Sequence, residues 1–235
     1  MTFHHYEPNL LKNQSLPVRP SSLQSFHRYP LTHVLASPGN VRVLRLLAEQ
    51  GSPLAVSQLA RDAGMTPVGV RAVLASLLRQ GIVTVFGQGH AQLYALNPAH
   101  PMVKPLKDLF AQERARWQSL LDDLRAALTR LPAVQAAWLY GSTSRGEDIP
   151  GSDIDVAVAV ERDDGPTVEA VRERLHAVED RHHVRTSVIA MSPQSILARA
   201  QTDAWWANLA RDAQALKGLE PARFVAQLRR RAVPA

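Results

Sequence analysis

The 235-residue sequence predicts an α+β chain of two domains: a helical half closed by a β-hairpin, then a half built on a small mixed sheet. Three observations predict this. Apolar residues recur at helical spacing through roughly residues 40–80, alternate with a period of two over 81–96, and alternate again beyond 133. Pro101 and Pro105 interrupt the chain between these stretches. The charge is also divided, with 14 Lys/Arg against 7 Asp/Glu in residues 1–132 and 13 against 14 in 133–235.

A hydrophobic share of 46% with 20% charged residues supports a buried core. The sequence contains no cysteine, which excludes disulfides, zinc–thiolate sites and thiol catalysis. No apolar run approaches the roughly 18 residues that span a bilayer, and no signal-peptide core opens the chain. The expectation is a cytoplasmic protein without a membrane partner. The basic first half favours phosphate backbones as partners, through Coulomb attraction and counterion release.

Residues 1–30 hold four prolines and little periodicity, and are expected to form an extended N-terminal arm. Asn40 is the expected N-cap of a helix through Val41, Leu44, Leu47 and Ala48, stopped by Gly51. Ala55 to Ala63 reads as a second helix ending at Gly64. Thr66 and Pro67 open a third helix with Val70, Val73, Leu74 and Leu77 on its buried face. Residues 81–86 and 91–96 read as two strands joined by a turn at 87–90.

Helix, helix–turn–helix and hairpin, over residues 31–100, resemble the winged helix-turn-helix domains of small bacterial and archaeal regulators. The run LAVSQLARDAGMTPVGVRAVLASLLRQGIV carries the likeness. The resemblance implies binding of double-stranded DNA, with the third helix in the major groove and the hairpin on the backbone. It points to Thr66, Val68, Gly69, Arg71, Ala72 and Arg79 on the helix, and to Gln88, His90 and Gln92 on the wing. The same fold also serves dimerisation or packing against a neighbouring domain.

Residues 101–132 are the expected connector, a long helix over 106–131. Its stripe of Phe110, Trp117, Leu121, Leu124, Leu128 and Leu131 would pack on the second domain or form a homodimer seam.

The second domain is placed at 133–235. An uncharged strand at 134–140 runs into Gly141, Ser142 and Arg145, and a second strand at 152–160 begins with Asp153 and Asp155. Alternation along a strand puts both aspartates on one side, a poor way to build a core and a good way to hold a hard divalent cation. Gly141 lets backbone approach a phosphate, Ser142 and nearby amides donate to its oxygens, and Arg145 grips a phosphate or braces the loop.

The stretch WLYGSTSRGEDIPGSDIDVAVAV resembles the Gly-Ser…Asp-x-Asp signature of the DNA polymerase β-like nucleotidyltransferases, the minimal members above all. The likeness extends over 133–218, with a helix at 167–180, a strand at 184–190 and a helix through AWWANLARDAQALKG. It implies catalytic and metal roles for Asp153 and Asp155 with Mg²⁺ or Mn²⁺. It further implies nucleoside triphosphate binding at Gly141, Ser142 and Arg145, and transfer of a nucleoside monophosphate to a hydroxyl. Such enzymes usually carry a third carboxylate on the next strand. Here that strand reads His183-Val184-Arg185-Thr186-Ser187-Val188-Ile189, with Thr186 or Ser187 in the equivalent place. Glu179 and Asp180 precede it and would substitute only if the chain folded back.

The remaining aromatic, histidine and arginine clusters have plainer expectations. Trp205 and Trp206 are expected in the core, His176, His182 and His183 on the surface, and Arg229, Arg230 and Arg231 in solvent. Two alternatives to the enzyme stand beside it: a transcriptional regulator that senses a nucleotide without turnover, and a component of a toxin–antitoxin-like module.

Overall fold

The computed structural model describes residues 25–232, so residues 1–24 of the expected arm lie outside the described residues. The chain forms two compact units that divide at Gln112/Glu113.

The first unit contains α1 (Leu31–Val34), α2 (Pro38–Gln50), β1 (Leu54–Ala55), α3 (Val56–Asp62), α4 (Pro67–Arg79), β2 (Val83–Phe86), β3 (Leu93–Leu96) and the start of α5 (Val103–Thr129). Helix α2 begins earlier than the sequence suggested. Ser37, not Asn40, is its N-cap, accepting from the Asn40 amide at 3.1 Å. Pro38 lacks an N–H and so fits the first turn, where that donor would go unpaired. The Asn40 side chain bonds on two sides, its Oδ1 accepting from the Ser37 hydroxyl at 2.8 Å. Buried, it donates from Nδ2 to the Val34 carbonyl at 3.1 Å and so satisfies the end of α1.

Helix α4 follows its pattern closely. The Thr66 hydroxyl accepts from the Gly69 amide at 3.2 Å, Pro67 opens the first turn, and Val70, Val73, Leu74 and Leu77 are all buried. The hairpin gains a strand that the sequence did not announce. The two residues of β1 pair with β3 (Leu54↔Tyr94), giving an antiparallel sheet of order β1-β3-β2. A 3₁₀ turn at Gly89–Ala91 delays the return, so β3 starts at Leu93 instead of residue 91.

Helix α5 serves two cores in succession. Val103, Leu106 and Phe110 belong to the first. Leu120, Leu121, Leu124 and Leu128 belong to the second, whereas Trp117, part of the expected stripe, is left 36% exposed.

The second unit continues with β4 (Val134–Tyr140), α6 (Gly141–Arg145), β5 (Ile154–Val160), α7 (Gly165–His182), β6 (Thr186–Met191), α8 (Pro193–Thr202), α9 (Ala204–Asp212), β7 (Gln214–Lys217) and α10 (Pro221–Ala232). Its sheet is mixed, in the order β6-β5-β4-β7, with β5 and β6 parallel and the other pairs antiparallel. Strand alternation divides the side chains between two layers. Leu139, Ile154, Val156 and Val158 face α5 and α7, while Trp138, Ala157 and Ala159 face α8, α9 and α10.

The single helix expected through residues 204–218 is interrupted. It ends at Asp212, and Gln214–Lys217 instead form β7 against β4. Tertiary pairing wins here because β4 would otherwise present an open edge. Lys217 then points its Nζ at the end of α5, donating to the carbonyls of Leu128 at 3.1 Å and Leu131 at 3.0 Å. Burial pushes its ammonium pKa down. Helices α8 and α10 were not expected either. Arg229, Arg230 and Arg231 lie exposed on α10, as anticipated for a solvated run.

Two further expectations are revised. His182 is buried, not on the surface: its Nε2 lies 2.8 Å from Asp123 Oδ2, and the Arg116 guanidinium donates to the His182 carbonyl at 3.2 Å. The His182 bond is the main reason that the Asp123 carboxyl is held below its usual range. Trp206 is core, edge-on to Trp138 with ring centroids 5.9 Å apart, but Trp205 is only partly buried and stands edge-on to Tyr140 at 5.4 Å.

Candidate functional site

At one edge of the mixed sheet, β4 ends, turns through α6, and β5 and β6 begin. Four features converge there. Gly141 sits at φ +79°, and a Cβ on it would overlap Asp155 Oδ2, so this glycine is needed for both its backbone and its lack of side chain. Tyr140 and Asp155 are directly paired across β4 and β5. Asp155 pairs in turn with Ser187 on β6. Asp153, just ahead of β5, lies near enough for its charge to act on Asp155.

Burial pushes the Asp155 carboxyl above its ordinary value; the Ser187 hydrogen bond opposes the rise and the Asp153 charge adds to it. Burial, with Asp155 as second cause, pushes the neighbouring Tyr140 hydroxyl up to about 12.

On β6, parallel pairing sets Ser187 opposite Asp155 and Thr186 opposite Ile154, and neither is a carboxylate. Glu179 does fold back towards this strand. Its Oε1 accepts from the Thr186 amide at 2.6 Å and the Thr186 hydroxyl at 2.7 Å. Thr186, however, shares the face of Ile154, across the sheet from Asp155, so Glu179 ties α7 to β6 and does not complete the aspartate pair.

Arg145 and Arg185 have distinct partners. Arg145 braces the loop, with Nε 2.8 Å from Glu147 Oε2 and Nη1 3.9 Å from Asp212 Oδ2. Arg185, which sequence reasoning passed over, places Nε 3.0 Å from Asp153 Oδ1 and donates from Nη2 to the Gly151 carbonyl at 3.0 Å. Only the parallel register of β5 and β6 brings residue 185 beside residue 153, and that register is not a local property of either segment. Beside Gly141, a cavity of about 180 Å³ is lined by Tyr140, Arg145, Trp205, Asn208 and Asp212 among others.

Among the described residues, no group of three or more His, Asp or Glu is placed to hold a metal ion. Two carboxylates are nonetheless a fitting donor set for Mg²⁺ or Mn²⁺ when phosphates and water complete the shell. The donor chemistry therefore suits a cation that arrives with a nucleotide and does not suit a self-sufficient metal centre.

In the first unit, Thr66, Val68, Arg71, Ala72 and Arg79 all lie exposed on α4 or at its cap, with Val68 at 74%. Gln88 is exposed on the wing, while Gln92 is partly buried and accepts from the Tyr94 hydroxyl at 2.9 Å. The His90 side chain lies outside what the structure describes.

Comparison with known proteins agrees with both halves. The IclR helix-turn-helix domain matches residues 41–85, and the family described as Polymerase beta, Nucleotidyltransferase matches residues 122–202. No curated protein matches the chain. Among solved structures, one similar chain comes from the crystal structure of a toxin–antitoxin with AMP-PNP, at 19% identity, covering 47% of this chain and 85% of that one, with a TM-score of 0.35. Another is the AntR antimony-specific transcriptional repressor, at 23% identity, 50% and 99% coverage and a TM-score of 0.37. A third, a mutant of the toxin–antitoxin MntA-HpeT, is 16% identical, with 45% and 81% coverage and a TM-score of 0.33. Likeness of this degree carries no functional information. On its two family matches and the folds that bear them, the chain joins a helix-turn-helix domain of IclR type to a nucleotidyltransferase domain of polymerase β type.

Proposed function

We propose that the second domain binds a nucleoside triphosphate with Mg²⁺ or Mn²⁺ at Gly141, Ser142, Asp153 and Asp155, and that the first domain binds double-stranded DNA. The observation that carries the reading is the contact of the Asp155 carboxylate with the bare Cα of Gly141, beside Asp153. A carboxylate pressed against the turn where phosphates are received has little structural purpose, because it is partly desolvated and its pKa is raised.

Gly141 would admit phosphate oxygens to the backbone of the turn, and Ser142 would donate to them. Asp153 and Asp155 would hold the cation, which when bound neutralises charge on the phosphates. In transfer, an acceptor hydroxyl oxygen bonds to the α-phosphorus, the bond from that phosphorus to the bridging oxygen breaks, pyrophosphate leaves and the acceptor proton passes to water. Ser187 cannot take that proton as a carboxylate would, and general-base help is worth roughly 10²–10⁴ in rate. Nucleotide sensing by a DNA-bound regulator is therefore the form favoured by Ser187, while the polymerase β match favours turnover.

Isothermal titration of the full chain with Mg²⁺ and each nucleoside triphosphate, beside a radiolabel transfer assay, separates these forms. Binding that vanishes in the Asp153→Asn, Asp155→Asn double variant is expected, and unchanged affinity would reject the site. Binding without transfer supports the sensor. For DNA, Arg71→Ala is expected to weaken binding and reduce the salt slope by about one. An unaltered gel shift would remove α4 from the interface.

A further inference from the structure

Two aspartates at the start of one strand repel each other, and a cation beside them relieves that repulsion. Arg145, the guanidinium that the sequence singles out, is engaged with Glu147 and Asp212. Arg185 is the one seated on Asp153, at 3.0 Å. Its place is set by the backbone as well as by the ion pair. The Ile154 amide donates to the Arg185 carbonyl at 2.8 Å, stitching residue 185 beside the residue that follows Asp153. The guanidinium is 74% exposed, so solvent screens the pair and it is weak.

We infer that Arg185 is the resident counter-ion of Asp153, displaced when a divalent cation enters and then turned to the phosphates of the nucleotide, so that cation and nucleotide bind cooperatively. This inference rests on the nucleotide-binding reading above. A divalent cation on Asp153 carries twice the charge of the guanidinium and repels it, so the two do not share the carboxylate. Once released, Arg185 lies at the start of β6, one strand removed from the end of β4 that carries Gly141, with β5 and its Asp155 between them. A guanidinium offers planar paired donors that match phosphate oxygens, which an ammonium does not. Cation alone must compete with Arg185; cation with nucleotide gives Arg185 a new partner. That difference is a coupling free energy between the two ligands, and it is reciprocal.

The test uses the full chain and two probes: Mn²⁺ alone, followed by electron paramagnetic resonance, and a non-hydrolysable ATP analogue titrated in the presence of Mn²⁺. Arg185→Ala is expected to bind Mn²⁺ alone about two- to fivefold more tightly, the reciprocal of a lost exposed pair. It should bind the Mn²⁺–analogue about tenfold more weakly, through loss of a charge-assisted hydrogen bond. Arg185→Lys should restore the weak Mn²⁺ affinity of the parent, because it keeps the charge, but only part of the analogue affinity. Arg185→Ala matching the parent with both probes would overturn the inference and leave nucleotide binding standing. Weakening with both probes would overturn it too, assigning Arg185 a merely structural role. A parent chain that bound neither probe would sink the nucleotide reading itself.

Discussion

On one face of the C-terminal sheet, Ile154, Val156 and Val158 meet aliphatic side chains of α5 and α7; on the other, Asp155, Ala157 and Ala159 share a layer with Trp138, Trp206 and Phe224. The strand is the same and only the parity of the residue differs. The first layer is aliphatic throughout and ends against Thr186 and Glu179, polar groups that satisfy one another. The second is aromatic at its centre and ends against Tyr140, Gly141, Asp155 and Ser187, where a carboxylate is held partly desolvated. Small alanines on β5 thus leave room for large rings from β4, α9 and α10, and this aromatic layer backs the edge that carries the proposed site.

Replacing the centre of the aromatic layer tests this most severely. Trp138 is fully buried, 5.5 Å from the Phe224 ring, with its indole N–H donated to the Leu219 carbonyl at 2.8 Å. Trp138→Ala is expected to cost about 3–5 kcal/mol in urea unfolding. A loss below about 1 kcal/mol, far under that range, would mean that the layer is not the support claimed for it.

Leu175→Ala, on the aliphatic layer, should cost about 2–5 kcal/mol and leave nucleotide affinity unchanged in the folded fraction, since Leu175 lies across the sheet from Asp155. A change in affinity comparable to that of a site variant would erase the contrast between the two faces.

Gly141→Ala introduces a Cβ into the Asp155 carboxylate at a positive φ, a strain of about 1–3 kcal/mol. Its expected signature is loss of nucleotide binding with a modest fall in melting temperature. Retained binding would show that the contact of Gly141 with Asp155 is dispensable.

The smallest effect concerns Asp155→Asn. A raised folded-state pKa means that the folded protein holds the proton more tightly than the unfolded chain. The carboxyl thus contributes stability below its ordinary value of 3.8, and that contribution is lost as pH rises through the raised value. At neutral pH without metal, the ionised carboxylate is a liability, so Asp155→Asn should melt slightly higher than the parent. The gain should shrink as the pH falls below the raised value towards 3.8. A lower melting temperature at neutral pH would contradict the burial of this group.

Much of this arrangement is legible along the chain. The spacing of Val70, Val73, Leu74 and Leu77, the cap at Thr66 and the strand at 134–140 are local patterns, and each is found where its period places it. The convergence of Gly141 with Asp155 follows from two strands joined by a loop whose length the sequence displays. What stayed hidden depended on residues far apart. Ser37 took the cap that Asn40 was expected to hold, and the Asn40 side chain instead links the Ser37 hydroxyl to the Val34 carbonyl at the end of α1. Residues 214–217 left a helical pattern to cover the edge of β4.

Local sequence was enough to predict that Gly141, Asp153 and Asp155 meet, since their spacing depends on strand alternation and turn geometry. Their partners came only with the assembled fold: Ser187 opposite Asp155, Arg185 on Asp153, Arg145 drawn away to Glu147 and Asp212, and Glu179 on the far face. The reason is that register between β5 and β6 is a cooperative outcome of burying both sheet faces at once. A shift of one residue would move every side chain of the strand to the opposite face, a condition that no single segment of the chain records.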